Sequence, residues 1–138
     1  MRFIILFSLL VSQLVFAQEQ TTETEITVTI TNVPGDEGQV IVALHDTNSF
    51  MKTEAIETMT SEIKNGKATV TFTGVPPGEY GIISFHDKNE NKQIDMEPNG
   101  MPKEAYGVSN NPMSFGPPQW NEAKFTVAKE PLDLEIRY

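Results

Sequence analysis

From Ile26 onward the apolar residues of this chain recur at every second position in short runs, and each run is closed by glycine, proline or asparagine. A two-residue period suits strands with one buried face and gives no amphipathic helix a stripe to bury. Ile26, Val28 and Ile30 alternate with Thr27, Thr29 and Thr31, so one face is aliphatic and the other carries hydroxyls. Pro34-Gly35-Asp36-Glu37-Gly38 turns the chain, and Gln39 to His45 repeats the pattern with Val40, Val42 and Leu44. These two runs are expected to pair as a first hairpin. Thr47 to Ser61 fits neither period and is expected to hold a short helical turn or an edge strand.

Asn65-Gly66 is a two-residue hairpin signal, because both residues accept the positive φ angles that such a turn demands. It leads into a strand in which Ala68, Val70 and Phe72 share a face. After the turn Gly74-Val75-Pro76-Pro77-Gly78, the run Gly81 to His86 is apolar on both faces, as a central strand is. Residues 98–120, rich in proline, asparagine and glycine, read as one long ordered loop anchored by Met101, Tyr106, Val108, Met113, Phe115 and Trp120. Ala123 to Val127 and Leu132 to Tyr138 supply two more alternating strands.

The expected fold class is therefore all-β. About seven strands make an antiparallel two-sheet β-sandwich of immunoglobulin-like or transthyretin-like type, and a small closed barrel is the alternative. Gly38 to Asp46 resembles Gly78 to Asp87, each ending in His-Asp, which strand patterning alone would also produce.

Residues 1–17 combine Arg2, an apolar run from Phe3 to Leu10 and a Val15-Phe16-Ala17 cleavage pattern, which read as a secretory signal peptide. Residues 18–24 are expected to be a flexible lead-in and 25–138 one domain. Export places the mature chain in a periplasm or outside the cell, with no transmembrane segment after cleavage. The chain has no cysteine, which excludes disulfides, thiol catalysis and cysteine–zinc sites. A net charge of −9 argues against nucleic acid, whose phosphates need clustered Lys and Arg, and favours a cation as ligand.

The segment after the central strand carries oxygen donors at regular spacing. Asp87, Asn89, Asn91 and Asp95 stand at the first, third, fifth and ninth positions of a loop, with Gln93 at the seventh. Calcium takes six to eight hard oxygen ligands, and a tight loop supplies them at these positions, the seventh through its main-chain carbonyl. Ile94 has the apolar character that pins such loops to a core. An EF-hand has glycine at its sixth position and glutamate at its twelfth, where this chain has Lys92 and Pro98. Glu97 and Glu104 are the candidates for the closing carboxylate. The metal set is thus Asp87, Asn89, Asn91, Gln93, Asp95 and Glu97, with calcium as the cofactor; the competing reading is that Asp and Asn here only form turns.

Catalytic readings are weaker. His45-Asp46 and His86-Asp87 end two strands, and adjacent strands would let the imidazoles bind zinc or act as acid and base in a hydrolase. Ser84 and Ser109 lack the glycine-flanked elbow of a nucleophile. The chain is accordingly expected not to be an enzyme. An envelope protein or glycan is an alternative partner, recognised through Tyr106, Trp120 and the rest of the 98–120 loop.

Taken together, Gly74-Val75-Pro76-Pro77-Gly78-Glu79-Tyr80, Phe85-His86-Asp87-Lys88-Asn89-Glu90-Asn91 through Asp95, and Gly100 to Asn111 resemble the small exported bacterial proteins grouped as domain of unknown function 2141. The resemblance runs from about Ile26 to Tyr138 and implies an exported β protein whose molecular role is not established. That family's pattern carries glycine after the second asparagine, where this chain has Lys92.

Overall fold

The structure, a computed structural model, describes residues 23–138. The expected signal peptide at 1–17 and residues 18–22 of the expected lead-in lie outside the described residues, while Thr24 already begins the first strand.

Strands β1 (Thr24–Thr31), β2 (Gln39–His45), β3 (Glu57–Ser61), β4 (Ala68–Val75), β5 (Gly78–Asp87) and β6 (Tyr106–Val108) come first. The short helix α1 (Trp120–Ala123) and strands β7 (Phe125–Val127) and β8 (Leu132–Arg137) follow. Among the described residues there are therefore eight strands, one more than the alternation suggested. They form a three-stranded sheet in the order β4-β1-β8 and a five-stranded sheet in the order β3-β2-β5-β6, with β7 also paired to the start of β5. Two sheets closing on one core are a β-sandwich, not a closed barrel.

The inward faces are those the two-residue period specified. Ile26, Val28 and Ile30 from one sheet and Val40, Val42, Leu44 and Ile82 from the other are buried in a single cluster around Phe72. Each such side chain contributes about 2 kcal/mol of burial. A smaller cluster, in which Phe50, Val108 and Ala123 pack with Ile83 and Trp120, covers the opposite face of β5. That second layer is why β5 is apolar on both sides, and the strand is central as expected, with β2 on one edge and β6 and β7 on the other.

Three expectations about pairing need correction. β1 and β2 are not a hairpin: they lie in different sheets and meet only through the core between them. The Pro34–Gly38 turn carries the chain across the sandwich, held where the Val33 amide donates to the Gly66 carbonyl (3.0 Å) and the Gly66 amide to Asp36 Oδ1 (2.9 Å). Second, the sandwich is not wholly antiparallel, because β8 runs parallel to β1, with Ile26 opposite Leu132 and Ile30 opposite Ile136. Third, the Asn65-Gly66 turn forms, with φ of 54° and 72° and a Lys64–Lys67 bridge, but its arms diverge into separate sheets as β3 and β4.

Both expectations for 47–61 are met in part, since a turn at 47–52 precedes the edge strand β3. The 98–120 segment is ordered by β6 and α1, but fewer of its side chains anchor it than expected. Val108 is buried and Trp120 packs on Phe50 at 5.5 Å between ring centroids, whereas Met101, Met113 and Phe115 are exposed.

Candidate functional site

Asp87 ends β5, and its carboxylate is fully buried. A buried carboxylate needs donors, and three reach it: the Asn91 amide to Oδ1 (3.1 Å), and the Lys92 amide and Gln39 Nε2 to Oδ2 (both 2.9 Å). Gln39 stands opposite Asp87 in the β2–β5 ladder, so the strand register delivers it. Gly38, with φ of 75°, lets the backbone pass so close to Asp87 that a Cβ there would stand 2.4 Å from the Asp87 carbonyl oxygen.

The next donors fold over this anchor as successive side-chain turns. Asn89 Oδ1 accepts the Asn91 amide (3.3 Å), and Asn91 Oδ1 accepts the Gln93 amide (3.0 Å). Their carboxamide nitrogens both donate to Asp95, from Asn89 to Oδ2 and from Asn91 to Oδ1, each at 2.8 Å. The two amide NH2 groups thus offer the Asp95 carboxylate the positive charge density that a cation would.

Glu97 is not gathered with these residues. Its amide donates to the Met101 carbonyl (2.7 Å) in a small hairpin in which Met96 faces Pro102, and its side chain makes none of the loop's hydrogen bonds. Glu104 takes its place: its Oε2 accepts the Asp95 amide at 3.4 Å. Burial holds the Glu104 carboxyl above the usual carboxylate range, and the nearby charges of Asp95 and Asp87 push the same way. The Gln93 side chain is exposed.

Among the described residues no three His, Asp or Glu side chains are grouped closely enough to hold a metal by themselves. A cation here must also take the oxygens of Asn89 and Asn91, and those carboxamides must turn to present them. The donor set then consists of carboxylates, amide oxygens and a main-chain carbonyl, which is the hard-oxygen chemistry of calcium. Asp87, with three of its roughly four acceptor positions already filled, serves mainly as the loop's internal anchor.

Lys92 sits at φ of 61°, the left-handed conformation for which calcium loops use glycine. A non-glycine residue there costs about 1–2 kcal/mol, part of which a glycine returns as lost backbone entropy. Lys92→Gly should therefore raise stability by about 0.5–1 kcal/mol. The change is read as a higher urea midpoint at unchanged m-value; a lower midpoint would show that the Lys92 side chain holds the loop.

The histidines do not meet. His45 lies opposite Gly81 and His86 opposite Val40, so the imidazoles occupy opposite ends of the β2–β5 ladder, roughly 17 Å apart by strand rise. Each has a structural partner instead: His86 Nε2 lies 2.6 Å from the Glu37 carbonyl oxygen, and His45 Nδ1 lies 3.1 Å from Ser49 Oγ. Burial holds the His45 imidazole below its ordinary value. The serines are structural too. Ser109 Oγ accepts the Ile82 amide at 3.0 Å and donates to the Ala123 carbonyl, while Ser84 Oγ bonds the Tyr138 hydroxyl.

Sequence reasoning did not find Gly38, Gln39 or the side-chain turn made by Asp46. Asp46 Oδ1 accepts the amides of Asn48 and Ser49, both at 2.9 Å, and these bonds hold its carboxyl below the usual range. The signal available was the echo between the two His-Asp strand ends, since each aspartate caps the loop that follows it.

The fold and site define a β-sandwich protein with an aspartate-anchored loop of clustered oxygen donors at the end of its central strand. The chain belongs to the DUF2141 family, described as an uncharacterized protein conserved in bacteria, whose profile matches residues 28–135. No curated protein and no solved structure matches it.

Proposed function

We propose that this is an exported, non-enzymatic β-sandwich protein whose 87–97 loop takes a calcium ion and thereby orders the segment that follows. The observation that carries the reading is the convergence of Asn89, Asn91 and Asp95 over the buried Asp87, with Glu104 beside them. The two carboxamides satisfy Asp95 through their NH2 groups, and calcium binding turns their oxygens and Asp95 to the ion. Asparagines lower the ligand charge, so the dissociation constant should be on the order of 10⁻⁴–10⁻³ M, as in extracellular modules. The signal-peptide reading of residues 1–17 supports export into a compartment where such a site fills. A second reading, a module that binds an envelope protein or glycan through the 98–120 segment, is favoured by the exposure of Met113 and Phe115.

The test is a thermal melt in chelator, then in about 10 mM calcium or magnesium. Calcium should stabilise by about 1.5–3 kcal/mol, a rise of roughly 5–10 °C, and magnesium by much less. Asp95→Ala should abolish the calcium response. An equal response to both ions, or none, would leave the loop as a set of turns.

A further inference from the structure

Beside the loop, an open cleft of about 300 Å³ runs between the turn at 47–52, the outer face of β5 and the 96–102 hairpin. Three methionines line it: Met51, Met96 and Met101, each more than half exposed. They reach the cleft from two separate segments. Its remaining walls come from Ile83, Ile94, Tyr106 and prolines, and no Asp, Glu, His, Lys or Arg side chain lines it.

Met51 is held there at a cost. Its φ is 56°, a left-handed conformation unusual for a methionine, and the turn is fixed by the Asp46 carboxylate and by the Lys52 and Thr53 amides donating to the Ser49 carbonyl. Strain that the surrounding hydrogen bonds impose on an exposed apolar side chain points to a use for that side chain.

We propose that Met51, Met96 and Met101 form a thioether site for a soft monovalent cation, Cu(I). Thioether sulfur is a soft, neutral donor that selects Cu(I) over the hard divalent ions. With no cysteine in the chain, methionine is its only sulfur ligand. A cleft lined by neutral groups suits an ion of charge +1 and gives calcium nothing to bind, so this site is chemically distinct from the oxygen loop beside it. Tyr106 also lines the cleft, and an aromatic side chain beside a cation can add to its binding.

The purified protein is titrated with Cu(I) under anaerobic conditions against a chromophoric Cu(I) chelator, and separately with Ag(I) while the methionine methyl resonances are followed. The expected result is one bound ion per chain, with the methyls of Met51, Met96 and Met101 shifting together and that of Met113 unmoved. Met51→Leu, Met96→Leu and Met101→Leu keep the cleft apolar while removing sulfur. Each should weaken binding roughly tenfold or more, and the triple variant should lose it without a fall in melting temperature. A Met113→Leu control should bind as the wild type does. Failure to compete with the chelator, binding that survives in the triple leucine variant, or shifts centred on the histidines would each overturn the proposal.

Discussion

Gly38→Ala should destabilise the protein by about 3 kcal/mol, lowering its melting temperature by roughly 10 °C. Two effects add. The residue sits at φ of 75°, where a Cβ costs about 1–2 kcal/mol. The new Cβ would also stand 2.4 Å from the Asp87 carbonyl oxygen and 2.7 Å from the Lys88 Cα and carbonyl oxygen. All three are backbone atoms at the end of a central strand, so no side-chain rotation relieves the clash. Gly35→Ala is the control: its φ is also positive, at 102°, but nothing lies within 4 Å of its Cβ position, and it should cost only the conformational part. Chemical denaturation of the two variants separates the terms. Equal losses would mean that the Gly38 crossing yields easily.

Asp87→Ala should cost about 2–4 kcal/mol in the absence of any metal, because it strands the Asn91 and Lys92 amides and Gln39 Nε2 beside a cavity. Asp95→Ala should cost less than about 1 kcal/mol, since Asp95 is partly exposed and its partners are side chains that water can satisfy. On the proposed calcium reading, the same loop holds one carboxylate for folding and one for the ion. Comparing urea midpoints in chelator with those in calcium distinguishes them. If Asp95→Ala were as damaging as Asp87→Ala in chelator, the loop would be a structural unit with no group free for a ligand.

How far the fold was legible in the sequence depends on what alternation encodes. A two-residue period states which side chains of a strand face the core, and Ile26, Val28, Ile30, Val40, Val42 and Leu44 all do. It does not state which strand lies alongside, because β1 and β2 bury those same residues equally well as neighbours or from opposite sheets. The Pro34–Gly38 segment reads as a hairpin turn locally, and only its hydrogen bonds to the Asn65-Gly66 turn, some thirty residues on, reveal it as a crossing. The site shows the same division. Asp87, Asn89, Asn91 and Asp95 were legible because their contacts are local and set by spacing. Gln39 was not, because strand register brings it in, and Glu104 was legible only as one of two candidates, Glu97 being the other, between which spacing alone does not choose. Glu97, whose position in the sequence looked suitable for closing the loop, pairs through its amide within the 96–102 hairpin.

The parallel pairing of β1 with β8 bears on the order in which the molecule is completed. A chain made from its N-terminal end presents β1 early, and β4 can pair with it as soon as the core begins to close. Its other edge stays open until β8 arrives, at the far end of the described residues. Contacts so distant in sequence make folding slow, and the waiting edge invites pairing with other chains. Alternation limits that hazard, because the outward face of the waiting strand carries Thr27, Thr29 and Thr31 and its aliphatic face is covered once Val40, Val42, Leu44 and Ile82 of the opposing sheet pack against it. β8 then acts as a latch, and a nascent chain stays short of its final stability until that latch closes.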